Sequence, residues 1–244
     1  MYSTRVIVSR VYKKFGGATA LDGVTLKIAE GEVYGLVGPN GSGKTTLINV
    51  ISGLIQPDLG EVLIEGKKIN GQPPYAECFR SLSRSFQIPK PWSKLSVLSN
   101  LMIPAMCKGD GVNLNEAKEK ALQMLDRLQL TRLMNEPANT LSGGQLKLLE
   151  FGRALITSSD VILLDEPFAG ISPGLQPVLI DMIRERAKTG TSFLVVSHII
   201  STIVQSADRV GVMARGKLVV EGKPGEALSS KLAIEEYLGG KVVA

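Results

Sequence analysis

Residues 38–46 read Gly-Pro-Asn-Gly-Ser-Gly-Lys-Thr-Thr. Gly38, Gly43, Lys44 and Thr45 occupy the fixed places of the pattern G-x-x-x-x-G-K-S/T. This stretch restricts the fold more than any other. It works only where a strand runs into a tight loop that opens a helix. The loop's backbone N–H groups must converge on one anion, and the helix adds its positive N-terminal end. The flanks supply that setting: 32–37 (EVYGLV) reads as a buried strand and 46–53 begins a helical pattern. Gly38, Gly41 and Gly43 allow the close turn, with Pro39, Asn40 and Ser42 between them and Thr46 following. Lys44 can reach β- and γ-phosphates, and the Thr45 hydroxyl can bind Mg²⁺. The bland alternative is a glycine-rich turn holding a lysine. By chance alone, four fixed residues would match on the order of 1% of the time at average usage.

The bulk numbers leave room for this fold and exclude others. The chain has 244 residues and 44% hydrophobic content, enough for one large domain or two lobes. A net charge of +5 is too modest to imply a nucleic-acid partner by itself, and basic residues in scattered pairs such as Lys13–Lys14 and Lys67–Lys68 are more often a solvated face than a binding patch. No apolar run approaches the length of a membrane span, and no secretory signal is expected at the N-terminus. Cys78 and Cys107 form neither a disulfide framework nor a metal spacing, so they read as small core residues in a reducing compartment. His198 is the one histidine, so imidazole chemistry has one address.

Periodicity places the remaining elements. Strands are expected at 5–9, 24–28, 61–65 and 81–86. Between residues 93 and 133, Leu95, Leu98, Leu101 and Met102, then Ala121, Leu122, Leu125 and Leu128, recur at helical spacing. This predicts a helical insertion in an α/β core. A further helix should run from about 142 to 157. The apolar runs 161–165 (VILLD) and 192–196 (SFLVV) suit strands buried on both faces of a parallel sheet. Helices near 174–188 and 199–206, a hairpin over 209–220 turning at Arg215-Gly216, and a short helix over 231–238 complete the chain.

The run 161–167 reads VILLDEP. Asp165 falls at the C-terminal edge of its strand, where α/β sheets bind ligands, and suits a Mg²⁺ ligand acting through water. Glu166 could polarise an attacking water. The alternative is a capping acid pair before a proline.

The run 141–145 reads LSGGQ. Ser142, Gly143 and Gly144 precede a helix, so this is a second backbone phosphate cradle, with Gln145 beside it. A plain N-cap at Ser142 is the alternative. With the phosphate loop before it and VILLDEP about twenty residues after, the chain resembles the ATP-binding-cassette (ABC) ATPase family. The resemblance covers nearly the whole chain. It implies an α/β fold: a P-loop NTPase (RecA-like) core with an N-terminal antiparallel β lobe and an inserted helical subdomain. Residues 1–87 and 138–244 would form the core and lobe, and 88–137 the insertion, extending to the LSGGQ helix. It also implies head-to-tail pairing with a second cassette, identical or related. Each LSGGQ then closes over the ATP on the partner's phosphate loop.

Other positions carry over singly. Phe15 matches the aromatic that stacks on adenine, where the alternative is a core phenylalanine. Gln87 matches the glutamine that senses Mg²⁺ and the attacking water. His198 matches the switch histidine that contacts the γ-phosphate. In the family, hydrolysis needs Glu166 and His198 together, with Lys44 and the donors of Ser142 and Gly144 stabilising charge.

Several stretches are similar to the ATP-binding subunits of branched-chain amino acid importers: LDGVTLKIAEGEVYGLVGPNGSGKTTLINVISG, SRSFQIPKPWSKLSVLSNL, AG-x-x-P after DEPF, and EGKPGEAL with EEYLGG. Urea-type importers and the lipopolysaccharide-export cassette share such features. Ser172 stands where the family usually has Asp or Asn, and Ile199 where the importers usually have Asp. The resemblance implies an ATPase at the cytoplasmic face of the cell membrane, bound peripherally to permease subunits and served indirectly by a solute-binding protein. Ile88, Trp92 and Leu95 would meet the permease, or else lie inside the helical lobe. The rival class, a soluble cassette acting on ribosomes or DNA, usually carries paired cassettes or long coiled-coil insertions.

Overall fold

A computed structural model describes residues 3–73, 76, 81–106 and 113–238. Cys78, Cys107, Pro74 and the two glycines of EEYLGG lie outside the described residues.

The strands divide between two sheets. β1 (Thr4–Phe15), β2 (Ala18–Ala29), β4 (Leu59–Ile64) and β5 (Lys67–Lys68) form an antiparallel sheet in the order β2-β1-β4-β5. The second sheet contains β3 (Val33–Val37), β6 (Leu82–Arg84), β7 (Val161–Asp165), β8 (Ser192–Val196), β9 (Arg209–Ala214) and β10 (Lys217–Gly222). Its order is β10-β9-β3-β8-β7-β6; all neighbours are parallel except β9 and β10.

Every residue of β3, β7 and β8 is buried, as a parallel sheet covered on both faces requires. The strand period of two sorts these side chains between two cores. Val33, Val37, Ile162, Leu164, Phe193 and Val195 face one core. There they meet α4 (Gly143–Leu155), α5 (Gln176–Lys188) and the helices of the insertion, α2 (Val97–Ala105) and α3 (Leu114–Arg127). Tyr34, Leu36, Val161, Leu163, Leu194 and Val196 face the other, which contains α1 (Lys44–Ile51) and the inner face of the antiparallel sheet. The phosphate loop therefore leaves a strand clamped between two hydrophobic layers.

Each helix of the insertion begins on a matched cap. Ser96 accepts the Ser99 amide and Asn113 accepts the Asn115 amide. Fully buried Asn100 ties the approach to α2: it donates to the carbonyls of Trp92, Leu95 and Ser96 and accepts the Trp92 amide.

The structure departs from the sequence reading in several places: the strand expected at 24–28 begins at Ala18, the short strand Lys67–Lys68 was not foreseen, and three further differences have a local cause. The strand expected at 5–9 extends to Phe15. Arg10 sits at φ +45°, and the register shifts between Val8 and Val11, so the alternation breaks while the ladder continues. The strand expected at 81–86 shrinks to Leu82–Arg84, because beyond Ser85 the backbone amides turn to a side chain of α4. An unforeseen helix, α7 (Pro224–Ser229), starts on a proline, which suits a first helical turn. α6 (Ile200–Ser206) and α8 (Lys231–Leu238) lie close to where they were expected.

Candidate functional site

Four chemistry-bearing segments leave the C-terminal ends of adjacent parallel strands. In sheet order, the phosphate loop follows β3, His198 follows β8, Asp165 and Glu166 end β7, and Gln87 follows β6. The sheet order, which is not the chain order, makes them neighbours. Asn40, Gly41, Ser42, Gly43, Lys44, Thr45, Thr46, Gln87, Asp165 and Glu166 line one cleft with Ala20 and Val196, enclosing about 180 Å³.

The loop's glycines are required by space as well as by dihedral angle. At Gly38 (φ +153°) a Cβ would lie 2.2 Å from the Met213 carbonyl oxygen. At Gly43 (φ +104°) it would lie 2.5 Å from that of Ala20. Gly41 (φ +77°) has open space where a Cβ would point. Lys44 Nζ donates to the carbonyls of Gly38 and Pro39 at 2.7 and 2.9 Å, so its charge is held at the loop. Burial lowers its pKa, while Glu166 and Asp165 oppose that shift. Ser42 Oγ is buried and has no protein partner. A converging loop, a retained cation and an orphaned hydroxyl fit an oligophosphate.

Asp165 is 2% exposed, and its amide donates to Ser85 Oγ. Arg84 lies 3.5 Å away. Burial raises the Asp165 pKa and lowers that of Arg84, so desolvation outweighs the attraction between them. A carboxylate held at such a cost, in a cleft also lined by Thr45 and Gln87, fits a divalent cation.

Glu166 has φ +53°, a rare conformation for a residue with a side chain. Its amide donates to the Val196 carbonyl, which fixes the turn. The carboxylate meets His198: Oε2 is 2.7 Å from Nδ1 and 3.3 Å from the His198 amide nitrogen. Acid and imidazole therefore act as one unit beside the phosphate loop.

Two predicted features lie elsewhere. Phe15 ends β1 half exposed, so it is no core residue; its ring takes a cation contact from Lys13 at 5.6 Å. Ser142 caps α4 in a full capping box with Gln145, and both glycines follow it. None of Ser142, Gly143, Gly144 or Gln145 lines this chain's cleft. The sequence reading missed Arg84, Ser85, Lys147 and Glu150. The last two stand three residues apart in LKLLE, a signal for one helix face. Lys147 Nζ donates to the Gln87 carbonyl.

A phosphate loop on a central parallel strand, an acidic pair two strands away and a histidine between them define a P-loop nucleotide-binding protein. The sequence profile of the ABC transporter family matches residues 21–169. A probable branched-chain amino acid transport ATP-binding protein LivG of Archaeoglobus fulgidus is 38% identical over 94% of this chain and 93% of its own. The ADP conformation of an ATP-binding cassette of an ABC transporter superposes with a TM-score of 0.81 at 36% identity, covering 97% of this chain and 99% of that one. A dimeric bacterial ABC transporter cassette gives 0.83 at 28% identity, covering 90% and 98%. The chain belongs to the ABC transporter family, as an ATP-binding subunit and ATPase. Cassettes of this family dimerise and pair with permeases. Among the described residues no helix is long and apolar enough to cross a membrane.

Proposed function

We propose that this chain powers the import of branched-chain or related amino acids, bound peripherally to permease subunits at the cytoplasmic face of the membrane. One observation carries the two-cassette mechanism: the Ser142 cradle lies outside the cleft of its own chain. Two chains placed head to tail complete each other's sites. The phosphate loop and Lys44 hold the ATP phosphates, and Phe15 offers an exposed face for adenine. Thr45, Gln87 and, through water, Asp165 would hold Mg²⁺, which would neutralise phosphate charge. Glu166 takes the proton of the attacking water, and His198 orients that carboxylate and reaches toward the γ-phosphate. Ser142 and the Gly143 and Gly144 amides of the partner stabilise charge from the opposite side. Residues 1–87 and 138–244 act as the nucleotide-binding body, with the segment between them carrying the permease-facing surface.

That segment exposes large apolar side chains among polar ones. Ile88, Trp92 and Leu95 are 75%, 41% and 40% exposed, which favours the docking alternative over a buried lobe interior. The solute assignment is supported by the LivG relative. The test is uptake of labelled leucine, isoleucine and valine by cells with and without this gene. Loss of uptake on deletion is expected. Unchanged uptake of all three overturns the solute assignment and leaves the ATPase untouched.

A further inference from the structure

Three charged side chains of α4 recur every third residue, and all turn onto the segment that contains Gln87. Lys147 donates to the Gln87 carbonyl. Glu150, 5% exposed, accepts the Phe86 amide at 3.2 Å on one oxygen and the Lys90 amide at 3.4 Å on the other. Arg153 donates to Glu150 and to the Lys90 carbonyl, both at 2.9 Å, and its guanidinium lies 4.3 Å from the Trp92 ring.

Burying a carboxylate is costly until its partners compensate, so an apolar residue would suit α4 better as a helix. What Glu150 supplies is specific to the loop. Residues 86–90 have left strand β6, so their amides have lost the ladder and need acceptors. One carboxylate satisfies two of them, on either side of Gln87. Arg153 neutralises that carboxylate and grips the same loop from its carbonyl side. The first turn of the same helix holds Ser142, about 12 Å along the axis from Glu150 at about 1.5 Å per residue.

We infer that Glu150, braced by Arg153 and Lys147, is a positioning residue for ATP hydrolysis: it clasps the 86–90 backbone to α4, so that Gln87 and the Ser142 cradle move as one rigid unit. The inference rests on the role proposed for Gln87 above. It gives the permease surface a route to the site. A push on Ile88 or Trp92 displaces Gln87 at one nucleotide and the cradle at the other together.

The experiment compares the full-length chain with E150Q, Q87A and the double variant, by steady-state hydrolysis and by amide hydrogen exchange. Glutamine keeps the size but can accept only one of the two amides. In E150Q, exchange over residues 86–90 is expected to rise about tenfold or more, while α5 and β7 stay protected. The kcat should fall about fivefold or more with the KM for ATP within about twofold, because positioning rather than ground-state binding is lost. In the Q87A background, E150Q should cost nothing further, since both changes act through one group. Unchanged exchange over 86–90, or a full multiplicative loss in the double variant, overturns the inference. A Q87A chain with normal turnover overturns the reading of Gln87 instead, and the exchange measurement still decides whether the clasp exists. K147M, which removes one donor at a half-buried position, is read in the same way should E150Q fail to fold.

Discussion

Glu166 and His198 leave the ends of adjacent strands and share a 2.7 Å contact between Oε2 and Nδ1. The contact follows from backbone placement. Glu166 takes a left-handed turn immediately after Asp165, and its amide is latched to Val196, two residues before His198. Holding a side-chain-bearing residue there costs roughly 1–3 kcal/mol, a strain that persists where the surroundings over-determine it. The turn separates the two acids of VILLDEP: Asp165 stays buried beside Arg84, and Glu166 faces the histidine.

Replacing Glu166 by Gln should lower kcat by about 10²–10⁴-fold, the usual contribution of a positioned general base. ATP binding should survive, because Lys44 and the loop amides are untouched. Phosphate release measures the first, and an ATP-dependent shift to a dimer on size exclusion measures the second. Normal turnover by E166Q would show that another group is the base.

The glycines of the two cradles should respond differently to alanine. At Gly38 and Gly43 the new methyl would meet carbonyl oxygens at 2.2 and 2.5 Å in backbone conformations disfavoured for alanine. Each substitution should destabilise the chain by about 2 kcal/mol or more and abolish nucleotide binding. Gly143 begins a helix and has open space where a methyl would point. G143A should leave thermal stability equal or slightly higher, yet reduce hydrolysis through the partner's site. S142A should lose both, about 1 kcal/mol of helix cap as well as activity. Melting curves alongside ATPase rates separate the cases.

Asp165 should make the nucleotide-free chain less stable as pH rises. Burial raises its folded pKa above the ordinary 3.8. The folded state therefore holds the proton more tightly than the unfolded one. That advantage is complete below the ordinary value and disappears as pH climbs through the raised folded one. D165N has no such titration. Its melting temperature relative to the parent chain should therefore rise between pH 4 and pH 7. A difference independent of pH would contradict the assigned burial effect.

Substituting Ile88 by Glu places a charge on a side chain that is already largely in water. Stability should change by less than about 0.5 kcal/mol, and the isolated chain should hydrolyse ATP normally. Co-purification with permease subunits should be lost. Retention of the complex would move the docking surface elsewhere.

Local chemistry was legible where a short stretch carries its own reason. The phosphate loop, VILLDEP and LSGGQ each declare strand, loop or helix end by residue type and spacing, and each lies where its pattern put it. Elements were mislocated where a non-local partner overrides the pattern. β1 continues past Arg10 because β2 and β4 re-register around a bulge. β6 stops early because Glu150 competes for its amides. The capping box at Ser142 was legible as the alternative and is present, with the Ser142 amide donating to Gln145 Oε1 and the Gln145 amide to Ser142 Oγ.

From the sequence alone followed the candidates for the site: the glycine-rich loop at Gly38, the acidic pair, one histidine and the LSGGQ run. Those properties depend on neighbours within a few residues. Only the tertiary structure decided that β8 enters between β3 and β7, which brings His198 to Glu166. Strand order is chosen by burial on two faces and by crossover connections rather than by local pattern. The tertiary structure also decided that Ile88, Trp92 and Leu95 face outward while Glu150 is buried against their loop. Amphipathic spacing identifies a helix face, but the packing partner determines what that face touches. For the loop at Gly38 the same division holds. Its residues set a tight loop at the mouth of a strand, and the position of Ser142 outside the cleft is the observation on which the proposed pairing of two chains rests.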